Sequence, residues 1–408
     1  MRLPWFVALR FLWDQRAQTA LIVAGVGVGV GVMVFLSALI AGLQADLIAK
    51  TLGVQPHVVV SPLEERARPQ LDGADRDGRV IVRRTERPEQ RIRSIGGWQQ
   101  VDRQVSRLPG VVATTPLATG AAFALRGNAT ESIALFGADP DRFDRVVPLA
   151  PSLRVGRLAV DGEGAVIGAG LAEKLGVGVG DRLRIEAADG RGDLFQIRGI
   201  FDLGNRQVNE RWVLVSLRAA QTLLGIPGGV TALWVDVDDI YSATRVSDQI
   251  GQTSGLVSES WMRTNAQLLT ALASQSASST MIRFFVIVAV AIGITSVLVV
   301  SVVQRSREIG ILRAMGASTR EVQSTFLLQG AVIGAFGSVV GCLLGGSLAA
   351  TFPRLVAGPG GTPLFPVSLT PELFLASAAI AIGTGVLAAL FPVRRAARLD
   401  PAVAIRHV

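Results

Sequence analysis

The residues of this chain that could bear chemistry are few, and their spacing forms no familiar catalytic centre. The single cysteine, Cys342, lies in an apolar run, and the two histidines, His57 and His407, are far apart in the sequence. The sequence contains no GxxxxGK(S/T) phosphate-binding loop, no GxSxG nucleophile elbow and no HExxH zinc motif. We therefore expect no catalytic, cofactor or metal site in this chain, and no ATP binding through a phosphate loop.

A short charged segment between two apolar stretches suits docking to a partner instead. Residues 304–322 read QRSREIGILRAMGASTREV, and as a helix they place one glutamate and the apolar side chains on one broad arc. Arg307 and Arg313 lie on the other side, while Gly316 and Ser318 should end this helix and cap the next. An apolar arc fits a groove in a partner protein, although the same pattern fits a connector lying on lipid headgroups. The arc comprises Glu308, Ile309, Ile311, Leu312 and Met315.

Glu308 is the one charged residue of this arc. A carboxylate that a partner covers loses its hydration and needs a cation or strong donors nearby. Because Arg307 and Arg313 point away on the helix, a basic group on the partner is the favoured counter-ion. The alternative is an exposed glutamate or an ion pair within the chain.

Composition indicates which elements must position this segment. The 408-residue chain is 50% hydrophobic and 18% charged, with a mean hydropathy of +0.44. It is too apolar for one soluble globule and too charged to lie in a membrane throughout, so the two characters should be segregated along the chain. The net charge of +8 does not indicate nucleic-acid binding, because the basic residues are not gathered with aromatic platforms and several flank apolar stretches.

Four charge-free stretches are long enough to cross the roughly 30 Å hydrocarbon core of a membrane as helices. They contain no acidic residue, which argues against an ion-driven carrier. Glycines four apart in the first and third stretches either bring helices close together or reflect ordinary glycine enrichment in membrane helices. The stretches are residues 19–43, 284–303, 326–352 and 373–393. The glycines are Gly25/Gly29, Gly27/Gly31, Gly330/Gly334 and Gly337/Gly341/Gly345.

The arginines predict how the chain crosses the membrane. They precede the first stretch, separate the second from the third and follow the fourth, whereas the loop between the third and fourth contains only Arg354. The excess of positive charge on cytoplasmic loops then places residues 304–322 and both termini in the cytoplasm, including the tail 394–408. Residues 1–18 mix tryptophan, phenylalanine and arginine, as expected of a helix in the cytoplasmic interface.

Residues 44–283 must then lie outside, and their pattern is α+β. FALRGNATESIALFG predicts a hairpin that turns near Gly127, and short strands with glycine and aspartate turns predict a β-rich insert at about 152–225. ALWVDVDD, an amphipathic helix and LVSESWM then predict a β-α-β return. A polar helix over 262–283 should run into the second membrane stretch as a stalk.

Several segments resemble a known transporter family. SREIGILRAMGAS resembles the cytoplasmic coupling segment of FtsX-like, MacB-type ABC permeases, and FPVRRAARLDPAVAIR resembles their C-terminal signature. LSALIAGLQADLIAKTLGVQPHVVVSP, WQQVDRQVSRLPGVVATTPLATG and VIGAGLAEKLGVGVGDRLRI resemble the LolC/LolE branch, the lipoprotein-releasing permeases. The resemblance covers nearly the whole chain.

The resemblance implies an α-helical membrane protein with four transmembrane helices and a large α+β periplasmic domain between helices 1 and 2. That domain would have a porter-like part with an inserted β-rich subdomain. The family implies a LolD/MacB-like ATPase that binds ATP and Mg, a second permease subunit, membrane lipid, and a periplasmic chaperone or adaptor. The implied ATPase-coupling residues are Arg307, Glu308, Ile309, Gly310, Leu312, Arg313, Met315 and Gly316. The implied substrate-cavity residues are Met33, Phe35, Leu36, Phe284 and Phe285.

Three functions remain open at this point. The chain could extract a lipoprotein or another amphiphile from the membrane, export a drug or peptide through an adaptor, or transmit motion to a periplasmic enzyme without transport. A neighbouring gene for a LolD-like ATPase and a second permease would favour the first. An adaptor with an outer-membrane factor would favour the second, and a murein hydrolase the third.

Overall fold

The computed structural model describes residues 2–14, 16–63, 92–356 and 367–397. The chain forms two compact units, a helical one that comprises Met1–Ile48 and Thr270–Val408 and an α+β one that comprises Ala49–Leu269. The helices are α1 (Arg2–Asp14), α2 (Arg16–Leu52), α3 (Trp98–Val105), α4 (Pro140–Val146), α5 (Ala169–Leu175), α6 (Arg206–Arg211), α7 (Leu217–Leu223), α8 (Ala243–Ser254), α9 (Trp261–Thr264), α10 (Ala266–Gln304), α11 (Ser306–Ala314), α12 (Thr319–Leu355) and α13 (Pro371–Ala397). The strands are β1 (Val58–Ser61), β2 (Val111–Arg126), β3 (Ala129–Ala138), β4 (Leu153–Gly156), β5 (Gly164–Gly168), β6 (Arg182–Ala187), β7 (Gly192–Phe201), β8 (Trp212–Ser216), β9 (Ala232–Val237) and β10 (Val257–Ser260).

Four helices in the described ranges, α2, α10, α12 and α13, are long and apolar enough to cross a membrane. Each of the four stretches predicted from the sequence lies inside one of them. The helices extend beyond the charge-free stretches because polar turns continue the same backbone hydrogen bonding outside the hydrocarbon. The predicted stalk, 262–283, is mostly the first part of α10, which continues without a break to Gln304.

The close contacts in the helical unit show the directions of its helices. Gly27 approaches Val340 and Gly31 approaches Leu344, so α2 and α12 run the same way. α10 runs opposite to α2, since Gly29 meets Val290 whereas Gln44, further along α2, hydrogen-bonds Ser276. α13 runs opposite to α12, since Gly330 meets Gly385 and Gly334 meets Ala381. Four successive membrane crossings require these alternating directions.

Glycines on α12 let two neighbouring helices approach its backbone. A Cβ on Gly341 would lie 2.5 Å from the Val30 Cβ and 2.7 Å from the Gly27 carbonyl oxygen of α2. A Cβ on Gly330 would lie 2.3 Å from the Gly385 carbonyl oxygen of α13. Helices in lipid associate through such close packing, because lipid tails provide no hydrophobic drive between them. Most of the predicted glycine pairs therefore mark helix contacts, whereas Gly25 has no atom within 4 Å of its Cβ position.

β2 belongs to both halves of the ten-stranded sheet in the α+β unit. Its first residues pair with β9, in the strand order β10-β1-β9-β2, and its last residues pair with β3 and β6. β2, β3, β8, β5, β7 and β6 pair in a ring, so this half is a closed barrel. A closed sheet has no unpaired edge, and its inward side chains fill the interior. Inward residues include Ala118, Ala122, Ala124, Ile133, Leu135 and Phe195.

The barrel extends beyond the β-rich insert predicted at 152–225. It also contains the β2–β3 hairpin, whose turn lies at Gly127 as the sequence predicts. Gly127 has a φ of 57° there. The 16-residue β2 passes from one half of the sheet to the other without a turn, so no local signal separates the two halves. The predicted β-α-β return is confirmed as β9, α8 and β10.

One ion pair joins α5 to α6, and a second lies within α6. The Lys174 Nζ lies 2.9 Å from the Glu210 Oε2, and the Arg206 Nε lies 2.7 Å from the Glu210 Oε1. The hydrogen bonds from Arg206 and then Lys174 lower the pKa of the Glu210 carboxyl to about 2. The glutamate therefore stays ionised, and keeps both partners, throughout the physiological pH range.

Gly341→Ala should destabilise the helical unit, because the added methyl group would overlap Val30 and the Gly27 carbonyl. We expect a loss of about 1–3 kcal/mol in the free energy of unfolding, measured as a lower midpoint of thermal unfolding in detergent. Gly25→Ala makes the same change on an open helix face. It should be neutral, or stabilising by up to about 1 kcal/mol, because alanine forms helices better than glycine. Equal losses in the two variants would contradict this packing.

Candidate coupling segment and substrate-facing helices

α11 is a separate short helix between two membrane helices. α10 ends at Gln304, and Arg305 leaves the helical conformation at φ −105° and ψ 15°. After α11, Gly316 adopts φ 103°, a left-handed conformation that glycine accommodates. The predicted N-cap of α12 is confirmed: the Ser318 hydroxyl accepts a hydrogen bond from the Glu321 N–H at 3.3 Å, and the Glu321 carboxylate accepts one from the Ser318 N–H at 2.8 Å.

The apolar arc predicted for this segment is divided between two faces of α11. Ile309 is only 2% exposed and belongs to the core of the helical unit, and Gly310 beside it is buried. Ile311 and Met315, by contrast, are 43% and 73% exposed. Ile309 and Ile311 lie about 160° apart around a helix, so a helix resting on its own bundle turns one inward and the other outward. The side chain of Leu312 lies outside the described residues.

The other predicted coupling residues differ in exposure. Arg307 and Gly316 are exposed, whereas Arg313, four residues after Ile309, is half-buried. Arg307, Ile311 and Met315 form what we call the outer face of α11. The outer face combines apolar and cationic groups, so it is chemically fit for contact with a protein surface that offers both apolar side chains and carboxylates.

Glu308 has a counter-ion within the chain. Its Oε2 lies 3.5 Å from the Arg305 Nη1, and 59% of the glutamate side chain is exposed. The alternative of an ion pair within the chain is therefore present in the structure, and a basic group on a partner stays a prediction. The sequence interpretation considered Arg307 and Arg313 but overlooked the residue three positions earlier, although side chains three apart on a helical turn are neighbours.

Arg305 is the residue that sequence reasoning missed. Its side chain is 7% exposed, and its Nη1 also lies 3.5 Å from the Asp14 Oδ2 at the end of α1. From the sequence, an arginine beside a membrane stretch indicates only the orientation of the chain. No sequence pattern predicts its contact with Asp14, which lies far away in the chain. The contact follows from α1, whose Leu12 packs in the same core as Ile309.

The predicted substrate-cavity residues do not form one surface in a single chain. Met33 is 5% exposed in the single chain, and its place in a cavity between two permease subunits stays a prediction. Phe35 packs edge to face on Phe352 of α12, with ring centroids 5.4 Å apart. Phe284 and Phe285 are 60% and 65% exposed and contact each other edge to face. Leu36 is half-buried. The sequence showed which residues were large and apolar but not which neighbours would cover them.

A groove runs between α2 and α10. It has a volume of about 460 Å³ and apolar walls, and it includes Gly25 and Gly293, where a Cβ would have no neighbour within 4 Å. In lipid, such a groove is filled by an acyl chain or by an apolar side chain, since none of its lining residues has a polar side chain to hold water. Other lining residues are Leu21, Ile22, Val28, Val290 and Val297.

The division of α11 into two faces predicts opposite effects of the same substitution. Ile309→Asp would bury a charge in the core of the helical unit and should cost at least about 3 kcal/mol of stability. Met315→Asp would place the charge in water and should change stability by less than about 0.5 kcal/mol. Thermal unfolding of the purified full chain in detergent measures both. A destabilised Met315→Asp variant, or an unaffected Ile309→Asp variant, would refute this arrangement.

Two families of known proteins match the chain, one in each part. Residues 19–253 match the MacB-like periplasmic core domain, and residues 280–401 match the FtsX-like permease C-terminal family. The chain is 24% identical to the lipoprotein-releasing system transmembrane protein LolC of Neisseria meningitidis, over 95% of this chain and 94% of that protein.

Two further relatives have related names. The chain is 23% identical to the lipoprotein-releasing system transmembrane protein LolE of Haemophilus influenzae, over 76% of this chain and 80% of that protein. It is 38% identical to the macrolide export ATP-binding/permease protein MacB of Wolinella succinogenes, over 28% of this chain and 16% of that protein. These matches confirm the resemblance seen in the sequence motifs. The match to the MacB-like periplasmic core domain alone spans more than half of the chain, and the FtsX-like match covers residues 280–401. The protein therefore belongs to the FtsX-like ABC transporter permeases with a MacB-like periplasmic core domain.

Proposed function

We propose that this chain is the permease subunit of a transporter whose ATPase is a separate polypeptide, and that it extracts lipoproteins or another amphiphile from the outer leaflet of the bacterial inner membrane. The observation that carries this proposal is the match to LolC, which spans 95% of this chain and 94% of LolC. The 408 residues contain no phosphate-binding loop, which supports an ATPase outside this part of the system.

The arginine distribution supports one orientation. With residues 304–322 and both termini in the cytoplasm, the α+β unit lies in the periplasm and the outer face of α11 meets a cytoplasmic ATPase. A periplasmic chaperone or adaptor would then receive the substrate. The second permease subunit, identical or related, would cover the apolar surfaces that a single chain leaves exposed.

The shape of α10 supports the transmission of motion. It is one continuous helix of 39 residues, about 58 Å long, and neither proline nor an internal break interrupts it. Its cytoplasmic end adjoins α11, and its first residues belong to the α+β unit. A displacement of α11 by the ATPase can therefore pass along α10 as the movement of a stiff rod.

The exposed aromatic pair supports an amphiphilic substrate. Phe284 and Phe285 lie in the outer half of α10 in the proposed orientation and present large apolar surfaces. The groove between α2 and α10 continues this apolar surface along the same two helices. Acyl chains of a lipoprotein match both features, because apolar contact in lipid requires shape and not hydrogen bonds.

The purified chain should hydrolyse no ATP, and hydrolysis should appear only when the ATPase subunit is added. Release of inorganic phosphate from the complex in nanodiscs measures this. Met315→Asp, which should leave the fold intact, is expected to raise the Kd for the ATPase about tenfold or more, because a charge would enter an apolar contact. Turnover by the isolated chain would sink the proposal, and an unchanged Kd would remove the outer face from the docking site.

Photocrosslinking from position 284 should capture lipoprotein, because the side chain there is exposed on the proposed substrate path. The control is position 375, where Leu375 is 72% exposed near the outer end of α13. Crosslinked products are identified by mass spectrometry from cells that express the complete complex. Lipoprotein from 284 and only phospholipid from 375 is the expected result. Only phospholipid from both positions would contradict it.

A captured drug or peptide would favour export, and a stable complex with a murein hydrolase would favour mechanical signalling.

A further inference from the structure

Arg305 lies at the joint between α10 and α11. Its backbone N–H donates to the Ser301 carbonyl of α10 at 3.1 Å, and its carbonyl accepts from the Ile309 N–H of α11 at 3.0 Å. Its φ and ψ leave the helical region at this one residue. Any change in the angle between the two helices must therefore take place around Arg305.

The side chain of Arg305 is enclosed, yet it meets two carboxylates from different helices. Its Nη1 lies 3.5 Å from the Asp14 Oδ2 of α1 and 3.5 Å from the Glu308 Oε2 of α11, while only 7% of the arginine side chain is exposed. A guanidinium removed from water needs compensating charge, and removing one partner weakens that compensation. The two carboxylates are themselves 56% and 59% exposed, so they can hydrate when the contact opens.

Apolar packing brings α1 close to this joint. Leu12 of α1 and Ile309 of α11 share one core, and the Thr19 hydroxyl of α2 donates to the Leu12 carbonyl at 3.0 Å. Apolar contact is non-directional, whereas the attraction between opposite charges depends on their separation. The ion pair from Asp14 to Arg305, with 3.5 Å between the Oδ2 and the Nη1, is an electrostatic link between α1 and the α10–α11 joint.

We propose that Asp14 is a positioning residue for the coupling helix. Acting through Arg305, it holds α11 at a defined angle to α1, so that a push on α11 moves α1 and the start of α2 together with α10. The consequence for transport rests on the proposed function, but the positioning itself does not. One push on α11 would then be delivered to two membrane helices, the pair that lines the α2–α10 groove.

Distances between spin labels on α1 and α11 test the positioning directly. Labels at positions 6 and 315, both exposed, are introduced into the full chain in nanodiscs with Cys342 replaced by serine. Asp14→Asn should broaden the distance distribution and raise the population with α11 displaced about fivefold, the scale expected from losing one ion pair. Asp14→Glu should keep the narrow wild-type distribution.

Two further variants separate the salt bridge from a general effect of charge. Arg10→Gln removes an exposed charge from the same helix and should leave the distribution narrow. Arg305→Gln, which removes the contacts to both Asp14 and Glu308, should broaden it at least as much as Asp14→Asn does. The double variant should add nothing to Arg305→Gln, because Asp14 acts through Arg305. A narrow distribution in Asp14→Asn, or broadening in Asp14→Glu or Arg10→Gln, would overturn the proposal.

The assembled permease–ATPase complex tests the consequence for coupling. Asp14→Asn should keep most of the ATP hydrolysis but lose at least about half of the ATP-dependent change in hydrogen exchange of the α+β unit, a split that simple destabilisation would not produce. Asp14→Glu should restore it. Unchanged coupling in Asp14→Asn would overturn the transmission role. A wild-type complex without any ATP-dependent change would refute the proposed function instead, and the label distances would still decide the positioning.

Discussion

Close approach of helix backbones is the constraint on which the helical unit depends. In lipid the helices gain nothing from hiding apolar side chains, so their association needs dense packing, and here glycines on α12 provide it on two sides. Gly341 admits α2 and Gly330 admits α13, each at a distance where a Cβ would overlap the neighbour. α12 is consequently the centre of the bundle. α10, which meets α2 at Gly29, is the least buried of the four membrane helices.

This arrangement explains how one chain can be both stable and movable. Gly330 and Gly334 of α12 contact the backbone of α13. In the apolar part of α10, by contrast, only 22% of the residues are buried. The helix that adjoins the coupling segment is therefore the one with the fewest neighbours to displace. Arg305 follows the end of α10, so its ion pairs lie beside the least buried membrane helix.

The sequence predicted the four membrane helices well, because charge-free length is a local property and water-free surroundings leave few alternatives. It also predicted the Ser318 cap and the β2–β3 hairpin, which depend on a few adjacent residues. It failed where the answer depends on distant neighbours. Ile309 and Ile311 are equally apolar, and only the position of the bundle decides which faces inward. One partner of Arg305, Asp14, comes from α1, far away in the chain, and no spacing rule could supply it.

The long strand β2 has a mechanical consequence for the α+β unit. Because the same 16 residues run through the open sheet and then the barrel, no hinge loop separates these two parts along this strand. A force on the open sheet can therefore reach the barrel through β2 and its hydrogen bonds to β9, β3 and β6, and not through a flexible loop. The ring of six strands is closed, so the barrel can tilt as one body when β2 moves.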